Sequence, residues 1–186
     1  MKRALFSRDE MLKMNVDTLK ERGVSVEQIA DIAFKQQSKW TDDISLRDCI
    51  DSVEKILSLR DTFHILQLGA EIDRLTEENK IREPLREILN SDLGMFGIDE
   101  LFGLELAGIY GTIGKTNFGD IDVNKPSIVA DLNYGGKKDK QKCHTFLDDI
   151  VGAIGAAAST RVAQITNELE ARKDPKYKEI KLDFDL

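Results

Sequence analysis

The segment Asp148-Asp149-Ile150-Val151-Gly152 and the small residues that follow it constrain this chain more than any other stretch. Gly152, Ala153, Ala156, Ala157 and Thr160 recur at helical spacing, so a helix through them offers a face that a neighbouring helix can approach closely. Two adjacent carboxylates open that helix. The helix dipole favours both, yet they repel each other unless water screens them or a cation sits between them. The small-residue seam argues against an open, screened surface. Thr145 and Asp148 also have the spacing of a capping box, which is sufficient to explain Asp148 but leaves Asp149 without a reason.

Elsewhere the periodicity is helical. Leu46, Cys49, Ile50, Val53, Ile56 and Leu57 fall on one stripe behind a Ser45/Asp48 capping box. Upstream, a helix from Arg8 to Arg22 stops at Gly23, and Ser25 opens a second that carries Ile29, Ala30, Ala33 and Phe34. Asp61 is placed to cap a long helix to about Asn79, whose broad apolar surface suits a central position. On it, His64 reads as a hydrogen-bonded core histidine. Pro84 suits the first turn of a short helix ending near Asn90, and another helix runs from Ile98 to Tyr110. Gly103 and Gly108 in that helix point to close packing. Gly111 to Pro126 is rich in Gly, Asn and Asp and reads as an ordered functional loop. Ser127 is placed to cap a short helix to Asn133, with a mobile loop from Tyr134 to Lys140. The last long helix starts at Thr145 and reaches about Ala171. Residues 1–172 thus form a single all-α domain, and 173–186 a charged tail in which Ile180, Leu182, Phe184 and Leu186 alternate, either pairing as a strand or remaining loose.

Charge and cysteine content exclude several functions. With 34 acidic and 27 basic side chains the net charge is -7, which disfavours nucleic acid and repels an anionic membrane surface. Cys49 and Cys143 are far apart and lack zinc-site spacing, as in a reducing compartment, so the cytoplasm is expected. No stretch approaches the roughly 18 apolar residues of a membrane span, and no signal-peptide core follows Met1.

Hard cations such as magnesium take carboxylate oxygens, and Asp148, Asp149 and a third carboxylate from a facing helix would make a suitable site. Asp73, on an apolar stripe where an unpaired charge is costly, is the first candidate, with a buried ion pair as the alternative. Glu100 and Asp122 are further candidate ligands. Calcium or manganese would serve in place of magnesium. The amides of Gly111, Thr112 and Gly114, with Lys115 and Asn117, suit phosphate oxygens, although an ordinary Asx-rich turn explains the same residues. His144 is placed either to transfer a proton or to orient a carboxylate.

His144 through Gly152 with its small-residue helix resembles the aspartate-rich motif of phosphatidylglycerophosphatase A, and Gly111-Thr112-Ile113-Gly114 resembles that family's Gly-Thr-x-Gly motif. Similarity is greatest to the soluble, YutG-like branch, in which Gly69 to Asp73, Asp99-Glu100 and Tyr110 to Pro126 also have counterparts. The resemblance implies an all-α bundle with one central helix surrounded by others. It further implies a magnesium-dependent phosphomonoester hydrolase converting phosphatidylglycerophosphate to phosphatidylglycerol, with Asp148, Asp149 and His144 as catalytic residues. Asp149 stands where membrane members commonly have Glu, and Lys115 where they commonly have Ser. Without membrane helices, the protein either docks transiently at the inner membrane face or acts on a water-soluble ester. A non-catalytic helical metal-binding or assembly protein is the competing reading. Broad apolar faces favour a homo-oligomer.

Overall fold

A computed structural model describes residues 5–92, 97–138 and 141–173, and these form a helical bundle without strands among the described residues. The helices are α1 (Arg8–Glu21), α2 (Val26–Gln37), α3 (Leu46–Leu57), α4 (Arg60–Glu77), α5 (Leu85–Ser91), α6 (Ile98–Ala107), α7 (Gly111–Asn124), α8 (Ile128–Lys138) and α9 (Leu147–Arg172), with a 3-10 turn at Gly108–Tyr110. The expected tail lies beyond Lys173, outside the described residues.

Local chemistry sets the first boundaries. Ser45 with Asp48 closes the expected capping box, and Ser7 with Glu10 and Ser25 with Gln28 form two more at the starts of α1 and α2. Asp61 does not cap α4; it lies in the first turn after Leu59, which makes no side-chain cap.

The central helix is α9 rather than α4. Every residue of α9 from Leu147 to Thr160 is buried, and α2, α3, α4, α6, α7 and α8 pack around it. A helix covered on all sides cannot carry charge along that length, and Ile150 to Thr160 carries none. By contrast α4 leaves Leu68 exposed and also His64, which is therefore not a core histidine.

The largest difference from the sequence reading concerns residues 111–126. Gly111 begins with φ +77, turning the chain out of the 3-10 segment, and α7 then runs without interruption to Asn124. Helix propensity is low here, but packing overrides it. A Cβ on Gly114 would lie 2.1 Å from the Ala107 carbonyl oxygen, and the Phe118 ring fills the space over Gly103, where a Cβ would meet it at 2.3 Å. At Gly108 the close neighbour is the flexible stem of Lys115. Ser127 takes φ +52 and does not cap α8; its hydroxyl donates to Asp31 and accepts from Lys35. The expected loop after Asn133 is helical as far as Lys138.

Gly114→Ala is therefore expected to destabilise the fold by about 1–3 kcal/mol through a backbone clash. Gly119→Ala, where no atom lies within 4 Å of the new Cβ, should instead be neutral or stabilising by up to about 1 kcal/mol. Urea unfolding of both variants measures the contrast, and equal effects would discount the close approach at Gly114.

Candidate metal centre

The start of α9 is built from outside the helix. Thr145 does not cap it: the Thr145 hydroxyl donates to the Leu89 carbonyl at 2.8 Å, and α9 begins two residues later at Leu147. The cap comes from α4. Asp73, fully buried, accepts the Leu147 amide at 3.0 Å and the Phe146 amide at 3.2 Å. Burial pushes the Asp73 carboxyl up to about 8, against the opposing pull of the Phe146 amide and the Arg22 guanidinium. One turn earlier on α4, Gly69 admits Phe146 and Ile150; a Cβ there would meet Ile150 at 2.4 Å.

The residues before the turn are held as firmly. Arg22 makes a bidentate pair with Glu77, both contacts at 2.8 Å, and its Nη2 donates to the Cys143 carbonyl at 2.6 Å. Glu77 in turn accepts the Cys143 amide at 2.9 Å. His144 lies inside this network with Nδ1 3.3 Å from Arg22 Nη2, and burial together with the Arg22 charge lowers its pKa to about 4. It is a neutral imidazole accepting at Nδ1, and it shares a small cleft with Asp148, Asn90 and Asn133.

With its entrance fixed, α9 carries Asp148 and Asp149 inside the bundle, at 7% and 5% exposure. Asp149 meets the first turn of α6. One oxygen each from Asp99, Glu100 and Asp149 lies within 4.8 Å of the others, a spacing that a single cation can bridge. Asp99 Oδ1 and Glu100 Oε2 are buried without a hydrogen-bond partner among the described residues. Such orphaned carboxylate oxygens are costly unless a cation meets them, and the all-oxygen donor set fits a hard divalent ion.

On the other side of the pair, Lys125 ends α7 in the left-handed conformation. Its ammonium lies 2.5 Å from Asp122, 3.4 Å from Asp148 and 3.7 Å from Asp149. These carboxylates raise the Lys125 pKa despite its burial. Burial and the neighbouring Asp148 push Asp149 up to about 9, while burial and Glu100 push Asp99 up to about 7. Burial likewise raises Asp148 to about 6, partly offset by Lys125.

The structure thus brings together Asp148, Asp149, Glu100 and Asp122 from the sequence-derived set, and adds Asp99 and Lys125. Asp73 touches the helix end rather than this cluster. Asp99 had a signal in sequence, since Asp99-Glu100 is a second adjacent acidic pair opening a helix. Lys125 had none. The segment from Gly111 to Asn117 stands against the middle of α9: Gly114 lies by Ala107 and near Thr160, and Asn117 donates to Thr160 at 3.0 Å. Eleven helical residues separate Thr160 from Asp149, about 16 Å along the axis. Gly111, Thr112, Gly114, Lys115 and Asn117 are therefore not assembled with the carboxylates, and the first four residues of the motif form a helix start against α6.

Without a divalent cation, stability should fall as pH rises from about 7 to 9. Asp73, Asp99 and Asp149 have raised pKa values, so the folded state favours their protonated forms, a contribution complete below pH about 4 and lost progressively above it, the loss between 7 and 9 coming from Asp73 and Asp149. Thermal unfolding in EDTA across that range should show the decline, and Asp149→Asn should flatten it. An EDTA profile that rises toward pH 9 would contradict the buried cluster.

A sequence profile described as Phosphatidylglycerophosphatase A matches residues 29–164. The chain is 43% identical over 152 residues to the uncharacterized protein YutG of Bacillus subtilis, covering 82% of this chain and 90% of that one. Its fold is similar to the crystal structure of YpjQ from Bacillus subtilis, with TM-score 0.81, 37% identity, and coverage of 88% of this chain and 99% of that chain. It is also similar to the low temperature requirement C protein from Listeria monocytogenes, with TM-score 0.80, 38% identity, and coverage of 84% and 97%. By the extent of the profile match and the identity to these relatives, the chain belongs to the phosphatidylglycerophosphatase A family.

Proposed function

We propose that this protein is a magnesium-dependent phosphomonoester hydrolase that converts phosphatidylglycerophosphate to phosphatidylglycerol. The observation that carries the reading is the Asp99, Glu100 and Asp149 cluster with its two orphaned buried oxygens, set in a chain of this family. These three residues would hold the cation. When bound, it supplies Lewis-acid charge for the phosphate and lowers the pKa of water.

The protein's own groups divide the remaining work. Lys125 lies half-buried beside the carboxylates, and its ammonium is suited to neutralise charge on the transferring phosphoryl group. Asp122 and Asp148 hold that ammonium in place. His144 is neutral and engaged with Arg22, which favours orientation of the cleft beside Asp148 over proton donation. No helix among the described residues is long and apolar enough to cross a membrane, so a lipid substrate would be reached by transient contact at the bilayer surface.

Phosphate release should be measured with phosphatidylglycerophosphate in mixed micelles and with glycerol 3-phosphate in solution, each with magnesium and with EDTA. Magnesium-dependent release is expected from the lipid. Asp149→Asn should reduce kcat/KM at least about a hundredfold, or about 2.7 kcal/mol, and Lys125→Met about tenfold or more. Preference for the soluble ester would reassign the substrate. Absence of release from both, with magnesium still bound, would replace the hydrolase by a metal-binding assembly protein.

A further inference from the structure

Asp73 is fully buried and accepts the first amides of α9, yet it stands apart from the oxygens that converge from Asp99, Glu100 and Asp149. Its two oxygens meet the Phe146 amide at 3.2 and 3.3 Å and the Leu147 amide at 3.0 Å, while the Cys143 thiol lies 3.5 Å from Oδ1. Asp149 follows Leu147 by two residues, so the direction of its carboxylate depends on how that first turn is seated. Glycine at position 69 lets Phe146 and Ile150 settle onto α4, and the Phe102 ring, from the same helix as Asp99 and Glu100, packs on Phe146 with centroids 5.2 Å apart. The same short segment therefore fixes α9 to α4 through Asp73 and to α6 through Phe146. A shift of the cap would move Asp149 relative to Asp99 and Glu100.

We propose that Asp73 is a positioning residue: it sets the affinity of the metal centre by fixing the first turn of α9, without touching the cation. The proposal rests on the reading of Asp99, Glu100 and Asp149 as a cation site. Residues that orient ligands from outside the coordination shell commonly change metal affinity by about ten- to a hundredfold when replaced. Asn at position 73 preserves shape but presents one NH2 group toward an amide, whereas Ser keeps an acceptor that can still cap the helix.

Calorimetric titration of Mn2+ into wild type, Asp73→Asn, Asp73→Ser and Asp149→Asn tests this, with circular dichroism in EDTA to establish that each variant is folded. Wild type should bind Mn2+ and Asp149→Asn should lose binding. Asp73→Asn should keep the wild-type stoichiometry with Kd raised about tenfold or more, and Asp73→Ser should recover part of that loss. A purely structural role would lower the unfolding temperature and leave Kd unchanged in the folded variant, which would overturn the proposal. Loss of the binding step in both Asp73 variants would make Asp73 a ligand and also overturn it. If Asp73→Asn does not fold, Glu77→Gln loosens the same segment at the Cys143 amide, and a Kd unchanged in both Glu77→Gln and Asp73→Ser would overturn it. Failure of wild type to bind Mn2+ would instead reject the metal centre itself.

Discussion

Holding adjacent carboxylates inside a protein requires compensation for dehydration and for mutual repulsion, and the bundle is organised around that requirement. Asp148 and Asp149 enter the interior on the first turn of α9, where the helix dipole helps but is far too weak alone to offset burial of two charges. Compensation comes from both sides: Lys125 at the end of α7 faces Asp148 and Asp149, and the opening of α6 supplies oxygens with which Asp149 can share a cation. Close approach of these helices depends in turn on the small side chains that follow. A Cβ on Gly152 would lie 3.2 Å from Ile121 and 3.7 Å from Phe118, both on α7. The glycine-alanine seam and the acidic pair are therefore one feature, since the first brings in the groups that make the second tolerable.

That link explains which parts could be read from the sequence. The capping box at Ser45 involves residues three apart, so composition and spacing suffice. The repulsion at Asp149 was legible for the same reason, because it comes from its immediate neighbour Asp148. Lys125 was not, since its partners Asp148 and Asp149 lie in a different helix and its left-handed backbone carries no signal in a lysine. Asp73 shows a subtler limit. Its position on an apolar stripe correctly demanded a buried partner, but amides at the end of another helix satisfy a carboxylate as a cation does, and residue type alone does not separate the two.

The segment from Gly111 to Asn124 illustrates the opposite failure. Its glycines, asparagines and aspartates have poor intrinsic helicity, and an isolated peptide would have no reason to form α7. In the folded chain the same glycines permit the contact between Gly114 and Ala107, and Phe118 inserts between α6 and α9 over Gly103 and Gly152. Tertiary burial of one aromatic ring and close backbone contact outweigh the local preference. Helix formation here also has a consequence for the site. Because α7 is continuous, its start is anchored at Thr160 and its end delivers Lys125 and Asp122 to Asp148.

This arrangement changes what the Gly-Thr-x-Gly resemblance means physically. A glycine-rich loop beside the carboxylates would offer amides to a phosphate; a helix start about 16 Å away along α9 cannot do so without a rearrangement of the core. Its glycines instead let α7 lie close enough to α6 and α9 for the far end to reach the carboxylate cluster. On the proposed reading, positive charge for an anionic substrate comes from Lys125, at the end of the helix, rather than Lys115 at its beginning. The lysine is held by three carboxylates, so drawing its ammonium toward a phosphate exposes negative charge that has to be met in the same step. A cation shared by Asp99, Glu100 and Asp149 meets it through Asp149, the carboxylate common to both sides. On the proposed reading, metal and lysine are consequently linked through Asp149, and binding of an anionic ester to one strengthens the case for occupancy of the other.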